Sequence, residues 1–322
     1  MISATPYPFT KQKQFNTTNT QVRGRFAPSP SGTLHFGSLF AALGSYLHTK
    51  SQNGLWFVRI EDIDTTRVQK QAREQILEAL TAFGFVWDCD KQTKSQLRVS
   101  DQNCLTQTAR INRYQECFEY LQAKHLLYGC ECTRKEIKAN GGSYNGQCRN
   151  KQLDLQTHPV RIKQLNPVRS YNDLHFGQQS APEALSTEDY LIKRRDGLFS
   201  YQLAVVVDDI DQGITHVVRG SDIMPLTTRQ LSLYEQFDIA PPEFLHLPVI
   251  SGEVGKKLSK QNHATAIDMQ NPKPELIKAL KLLGLPLGDC SNIELKSCVE
   301  ILNWAIKTVD FSRLPKAEEI LI

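Results

Sequence analysis

Apolar positions along the chain alternate between two regimes. Val22 to Ala27 reads as a short strand, and beyond a turn rich in Pro and Gly the spacing of Leu39, Phe40, Leu43 and Leu47 predicts one face of a helix. Leu55 to Ile60 is a compact apolar strand. Val68, Ala72, Ile76, Ala79, Leu80 and Phe83 then predict a helix over 66–84. This alternation predicts an α/β fold with a doubly wound parallel sheet. Tyr114, Cys117, Phe118 and Leu121 predict a further helix from about 110 to 127, after which the pattern breaks into a polar stretch reaching about Ser180. The sheet is expected to resume with strands over Leu198–Val207 and Thr215–Val218. The acidic cluster Asp208-Asp209-Ile210-Asp211, with Gly213, reads as the turn between them. Helical spacing over 225–237, a last strand over Leu245–Ile250, and helices over 275–283 and 293–309 complete the pattern.

A chain of 322 residues can bury a large core and divide into two or three domains. The expected division is a flexible tail over 1–20, a first half of a nucleotide-binding domain over 21–104 and an insertion over 105–185. A second half over 186–262 and a small helical region over 263–322 follow. The tail is rich in Thr, Asn and Gln and shows no apolar signal segment. No apolar run approaches the roughly 18 residues of a membrane span, so no membrane contact is expected. A net charge of +4 permits a polyanionic partner without demanding one. Eight cysteines without an export signal point to a reduced, cytoplasmic setting rather than a disulfide framework.

The chemistry begins at Arg25-Phe-Ala-Pro-Ser-Pro-Ser-Gly-Thr-Leu-His35-Phe-Gly37. A Gly-rich turn from a strand into a helix amino-terminus presents unpaired N–H groups to phosphate. Gly37 leaves room for a flat ring close to its backbone. Far downstream, Gly255-Lys256-Lys257-Leu258-Ser259-Lys260-Gln261 is a basic loop. A His-x-Gly turn followed much later by Lys-Leu-Ser-Lys resembles the paired signatures of class I aminoacyl-tRNA synthetases, and the lead-in from Arg25 resembles their glutamyl branch. The resemblance covers roughly residues 21 to 310.

It implies activation of a carboxylic acid by ATP, through positioning and electrostatics rather than a protein nucleophile. His35 and Lys260 are the expected catalytic residues. Pro28, Ser29, Gly37, Ser38, Lys257 and Ser259 would join them around ATP, with Mg2+ bridging phosphate oxygens. Arginines suit a dicarboxylate substrate because a guanidinium grips a carboxylate with two bonds. Arg25 and Arg219, each at a strand end, could converge on the side chain of L-glutamate. Glu61 would take its ammonium, and Ser29, Tyr201 and the Ala27 backbone would complete that site.

Cys130-x-Cys132 and Tyr144-x-x-x-Cys148 offer three thiolates for zinc. By ligand chemistry, His125 or His158 would be a more ordinary fourth donor than a tyrosine. The resemblance implies Tyr144, in one structural Zn2+ per chain. Cys89, Cys104, Cys117, Cys290 and Cys298 read as small apolar residues.

Two departures point to one branch. Glutamyl-tRNA synthetases place an asparagine four residues after the tyrosine where this chain has Val205, and they continue into an anticodon-binding domain where this chain has only 263–322. Both features resemble the glutamyl-queuosine tRNA(Asp) synthetases, which need no tRNA to activate glutamate and pass it to the queuosine base in the anticodon loop of tRNA(Asp). A monomer is expected. The competing readings are a truncated glutamyl-tRNA synthetase charging tRNA 3′ ends, another nucleotidyltransferase, and a non-catalytic tRNA-binding paralogue.

Overall fold

A computed structural model describes residues 5–9, 21–89, 104–258 and 265–322. In chain order, β1 (Arg23–Phe26) is followed by α1 (Phe36–Lys50), β2 (Leu55–Ile60), α2 (Ala72–Ala82), β3 (Leu105–Thr106) and α3 (Ile111–Ala123). Next come β4 (Leu127–Gly129), the short α4 (Arg134–Ala139), β5 (Val160–Ile162), β6 (Ser170–Asp173), β7 (Gly177–Ser180), the short α5 (Glu183–Thr187) and β8 (Leu191–Lys193). The chain continues through α6 (Tyr201–Gln212), β9 (His216–Gly220), α7 (Thr227–Gln236), β10 (Glu243–Leu247), β11 (Val249–Glu253) and β12 (Lys256–Lys257). It ends in α8 (Lys273–Leu282), α9 (Cys298–Thr308) and β13 (Glu319–Leu321).

The parallel strands form two ladders that meet edge to edge. β1 pairs with β2 and β2 with β3, all parallel, while β9, β10 and β6 form a second parallel set with β7 antiparallel at its edge. Thr215 joins the two sets at the amino ends of β1 and β9. Its N–H donates to Arg23 O (2.9 Å) and its hydroxyl accepts from Arg23 N–H (2.9 Å). No ladder between β1 and β9 continues from there among the described residues. The carboxyl ends therefore border a crevice at the point where strand order reverses, the usual ligand position in open α/β sheets.

Helices cover both faces. Leu39, Phe40, Leu43 and Leu47 of α1 are buried in one core with Ile76 and Leu80 of α2, Leu276 and Leu280 of α8, and Ile301 and Leu302 of α9. Gly44 is needed there, since a Cβ would lie 2.5 Å from Leu247 Cδ1. The second core joins Tyr114, Cys117, Phe118 and Leu121 of α3 to Leu203 through Val207 of α6 and Leu233 of α7. Phe9 packs there too, and Tyr7 donates to Phe237 O (2.6 Å), so the expected flexible tail is docked over part of its length.

The largest correction concerns Leu198–Val207. From Tyr201 on it is not a strand, and Asp208–Asp211 is not a turn; both lie in α6, which follows its cap Ser200 and stops at left-handed Gly213 (φ 64°). A continuous β-branched run carries no period to distinguish a buried strand from a helix buried nearly all round. The first of the helices begins later than the spacing implies in the 66–84 stretch, because Asp64 organises a turn through Thr66 and Arg67 before α2. The 293–309 helix is split, with α9 opening on a capping box between Ser297 and Glu300. The strand over Leu245–Ile250 is broken at Pro248, which has no N–H to donate. The stretch 105–185, expected as an insertion, contributes to the parallel sheets and their helices. Leu105–Thr106 extends the parallel sheet beside β2, α3 packs on α6, and β6 and β7 belong to the β10 edge.

The acidic cluster of α6 faces inward, onto arginines. Buried Arg59 of β2 donates to Asp209 Oδ1 (2.8 Å) and Gln212 Oε1 (2.7 Å) and lies 3.6 Å from Asp208. Arg110 binds Asp208 (2.6 Å) and Asp211 (2.6 Å), Arg113 binds Asp211 (2.7 Å), and the Tyr114 hydroxyl donates to Asp208 (3.0 Å). Asp62, just past β2, accepts from the N–H (2.8 Å) and hydroxyl (2.6 Å) of Thr108, fixing the turn that presents Arg110. Removing one partner from such a network strands the others without water. Asp208→Ala should lower unfolding free energy by about 3–5 kcal/mol in urea titrations; a loss under about 1 kcal/mol would show the network to be dispensable.

Candidate active site

A cavity of about 440 Å³ opens between the carboxyl ends of β1 and β9. All six residues expected around glutamate line it: Arg25, Ala27, Ser29, Glu61, Tyr201 and Arg219. So do Pro28, His35, Gly37 and Ser38 from the expected ATP site. Ser259, Lys260 and the side chain of Lys257 lie outside the described residues. The ends of their loop nevertheless frame the cavity. Leu258 lines it and donates its N–H to Ile250 O (2.7 Å), while Ala266 bridges to His35 and Ile267 N–H donates to Leu34 O (3.1 Å). Asp222 and the wall from Leu247 to Ile250 also line the cavity and were not singled out from the sequence. Their signal was position alone, since each follows the end of a parallel strand.

His35 caps α1 with extended backbone (φ −114°, ψ 171°), and its Nδ1 accepts the Ser38 N–H at 3.3 Å. That bond leaves the ring proton on Nε2, which lies 3.1 Å from Ser38 Oγ. The His35 ring itself lies beside Gly37. A Cβ at Gly37 would sit 3.2 Å from its Cε1 and Nδ1.

The two arginines expected on one carboxylate have different surroundings. Arg25 is paired with Asp209 (3.1 Å), the carboxylate also held by Arg59. Arg219 is buried (6% exposed) and among the described residues bonds only neutral acceptors: His246 Nε2 (3.0 Å), Gln230 Oε1 (2.8 Å) and Thr227 Oγ1 (2.8 Å). His246 is turned by Asp173, whose Oδ2 lies 2.6 Å from Nδ1. Burial lowers the His246 pKa to about 4 despite Asp173, so the ring is neutral. Burial raises the Glu61 carboxyl above its usual range, against the pull of Arg59 and Arg25. The cavity thus brings together a guanidinium with spare donors on β9 and a carboxylate at the end of β2, on either side of β1.

Away from the cavity, the sulfurs of Cys130, Cys132 and Cys148 lie within 4.8 Å of one another. Tyr144 is buried beside them, its hydroxyl accepting the Cys148 N–H (2.9 Å) and its ring under the Arg161 guanidinium (3.8 Å). Gln147 Nε2 and Arg161 Nε donate to Cys132 and Cys148's neighbour Cys130 respectively (2.8 and 3.2 Å). Three close thiols fit a tetrahedral zinc site. Neither His125, in a left-handed turn after α3, nor His158, bonded to Thr157 and Asp154, joins the group.

The chain is 46% identical to the glutamyl-Q tRNA(Asp) synthetase of Vibrio parahaemolyticus over 92% of its own length and 95% of that protein's. It is 48% identical to the one from Citrobacter koseri over 83% and 85%. The family model for the catalytic domain of class I tRNA synthetases (E and Q) matches residues 21–307. The chain belongs to the glutamyl-Q tRNA(Asp) synthetase family of class I tRNA synthetases. Among solved structures, a glutamate tRNA ligase from Elizabethkingia meningosepticum in complex with its amino acid superposes with a TM-score of 0.73 at 28% identity, covering 92% of this chain. This chain spans 66% of that ligase's length. As a class I synthetase, it has the expected parallel α/β catalytic fold, and no helix among the described residues is long and apolar enough to cross a membrane.

The synthetase fold keeps two histidines neutral by burying them. His48, in α1 beside His216, is lowered to about 4 by burial and then by that neighbour, matching His246. The unfolded chain protonates both near 6.5 while the folded chain does not until about 4, so stability falls as pH drops through that window. Each should contribute about 2 kcal/mol of loss by about pH 5. Urea unfolding at neutral pH and at about pH 5 should show the drop, and His48→Gln should remove its share of it.

Proposed function

We propose that the protein activates L-glutamate with ATP, without tRNA, and transfers the glutamyl group to the queuosine base of tRNA(Asp). The observation that carries the glutamate part is Arg219, a buried cation whose partners among the described residues are all neutral, lining the same cavity as Glu61. The names of the most similar relatives support the acceptor. In the first step a carboxylate oxygen of glutamate attacks the α-phosphorus of ATP and pyrophosphate leaves. In the second, a hydroxyl of queuosine's cyclopentene diol attacks the acyl carbon, loses its proton, and AMP leaves.

On this reading Arg219 and Arg25 hold the side-chain carboxylate, with Arg25 kept in place by Asp209. Glu61 takes the ammonium, and Ser29, Tyr201 and the Ala27 backbone complete the contacts. The start of α1, with Pro28, Ser29, His35, Gly37 and Ser38, holds the nucleotide, and Lys257, Ser259 and Lys260 approach from the loop whose ends frame the cavity. Mg2+ bound with ATP would spread charge on the leaving pyrophosphate. Zinc on Cys130, Cys132 and Cys148, with Tyr144 as fourth ligand, would hold the β4–α4 region together, because metal binding and folding are coupled in such sites.

The purified protein should catalyse glutamate-dependent exchange of pyrophosphate into ATP with no tRNA present. Labelled glutamate should reach tRNA(Asp) only when it carries queuosine, and the label should survive removal of the 3′-terminal adenosine. Label that disappears with that adenosine would establish 3′-end charging instead.

Metal content gives a separate check. About one zinc per chain is expected, and Cys130→Ser should lower both zinc and melting temperature. Tyr144→Phe should weaken zinc retention against a chelator; full retention would remove Tyr144 from the ligand set.

A further inference from the structure

Arg219 sits in a cradle whose members share one property: each accepts a hydrogen bond and none carries charge. His246 Nε2, Gln230 Oε1 and Thr227 Oγ1 take three of its five N–H groups. Among the described residues no carboxylate pairs with it, whereas Arg25, Arg59, Arg110 and Arg113 all pair with acids of α6. The neutrality is built in. A guanidinium offers only donors, so His246 can accept from it only through an unprotonated Nε2, with its proton on Nδ1. Asp173 holds the proton there at 2.6 Å. The charge of Asp173 is itself spent on the backbone N–H groups of His175 (2.9 Å), Phe176 (2.9 Å) and His246 (3.1 Å). Gln230 is committed in the same way: its Oε1 faces Arg219 while its buried Nε2 has no partner among the described residues, so the amide keeps one orientation at some cost.

We propose that Thr227, Gln230 and His246 are specificity-determining positioning residues. They orient Arg219 while leaving its charge uncompensated, and so make the pocket prefer an amino acid with an anionic side chain over its amide. The inference rests on the assignment of glutamate to this cavity. An acid at any cradle position would satisfy Arg219 internally, and the substrate carboxylate would then enter beside a like charge. A neutral glutamine side chain would lose much less.

The test is Gln230→Glu, the same shape with one added charge, beside Gln230→Met, which removes the acceptor without adding charge. Both are followed by pyrophosphate exchange and by calorimetric binding of glutamate. Gln230→Glu should raise the KM for glutamate at least about tenfold and erode the preference for glutamate over glutamine. Its KM for ATP should stay within about twofold, and its melting temperature should not fall. Gln230→Met should raise the glutamate KM less and keep the preference. A Gln230→Glu protein with wild-type glutamate KM, or a Gln230→Met protein that loses the preference equally, would overturn the inference. If Gln230→Glu does not fold, His246→Gln, which offers Oε1 near the place of Nε2, is expected to keep the preference, and its loss there would overturn the inference. Wild-type protein that neither binds nor exchanges with glutamate would instead overturn the functional reading.

Discussion

Arg59 has no contact with water, yet Asp209, Asp208 and Glu61 all converge on its guanidinium. The rest of the molecule is arranged to make this affordable. Burying a charge is costly unless it is paired, and here four arginines meet three aspartates of α6 and one glutamate just past β2, with Arg59 Nε the one buried atom of these side chains that lacks a hydrogen bond among the described residues. The network ties β1 through Arg25, β2 through Arg59 with Glu61 just past its end, and α3 through Arg113 and its cap Arg110 to a single helix. It thereby fixes the ends of β1 and β2, from which Arg25 and Glu61 line the cavity. Arg25 and Glu61 reach the cavity as outer members of this network, with their orientation already determined behind them.

The other side of the cavity follows the opposite electrostatic rule. Around Arg25 charge is matched by charge, but around Arg219 it is matched only by dipoles. Burial lowers the pKa of that guanidinium, with Tyr201 and Asp209 opposing and Arg25 adding to the effect. The cavity is therefore asymmetric: one wall is internally neutral and the other is short of an anion. That imbalance is what an amino acid with an anionic side chain would relieve.

The cysteine cluster is mechanically connected to this wall. Tyr144 N–H donates to Glu188 (3.1 Å), and Glu188 is gripped by Arg229 of α7, the helix that also carries Thr227 and Gln230. Arg149 and the Tyr128 hydroxyl meet on Asp189, next along the chain, at 2.6 and 2.5 Å. Folding of the cysteine region and placement of the Arg219 cradle therefore share one short stretch of backbone.

Much of the active-site inventory was legible in the sequence because it lies in local motifs. The turn from β1 to α1 carries its own glycines, prolines and capping histidine within a dozen residues, and Arg25, Glu61 and Arg219 each end a readable apolar strand. The helix α6 was not legible, because Leu203–Val207 is apolar throughout and ends in three β-branched valines, and a fully buried helix shows no face. Its acids looked like a solvated turn since their partners, Arg59, Arg110 and Arg113, lie about a hundred or more residues away along the chain. The neutral cradle was hidden for the same reason: His246, Asp173, Gln230 and Thr227 come from three elements, and nothing local marks them as neighbours. The sequence alone determined which chemistry could be done and at which strand ends. Only the tertiary structure decided which arginine is already satisfied and which is left wanting, because charge pairing depends on distances that the folded sheet, not chain order, creates.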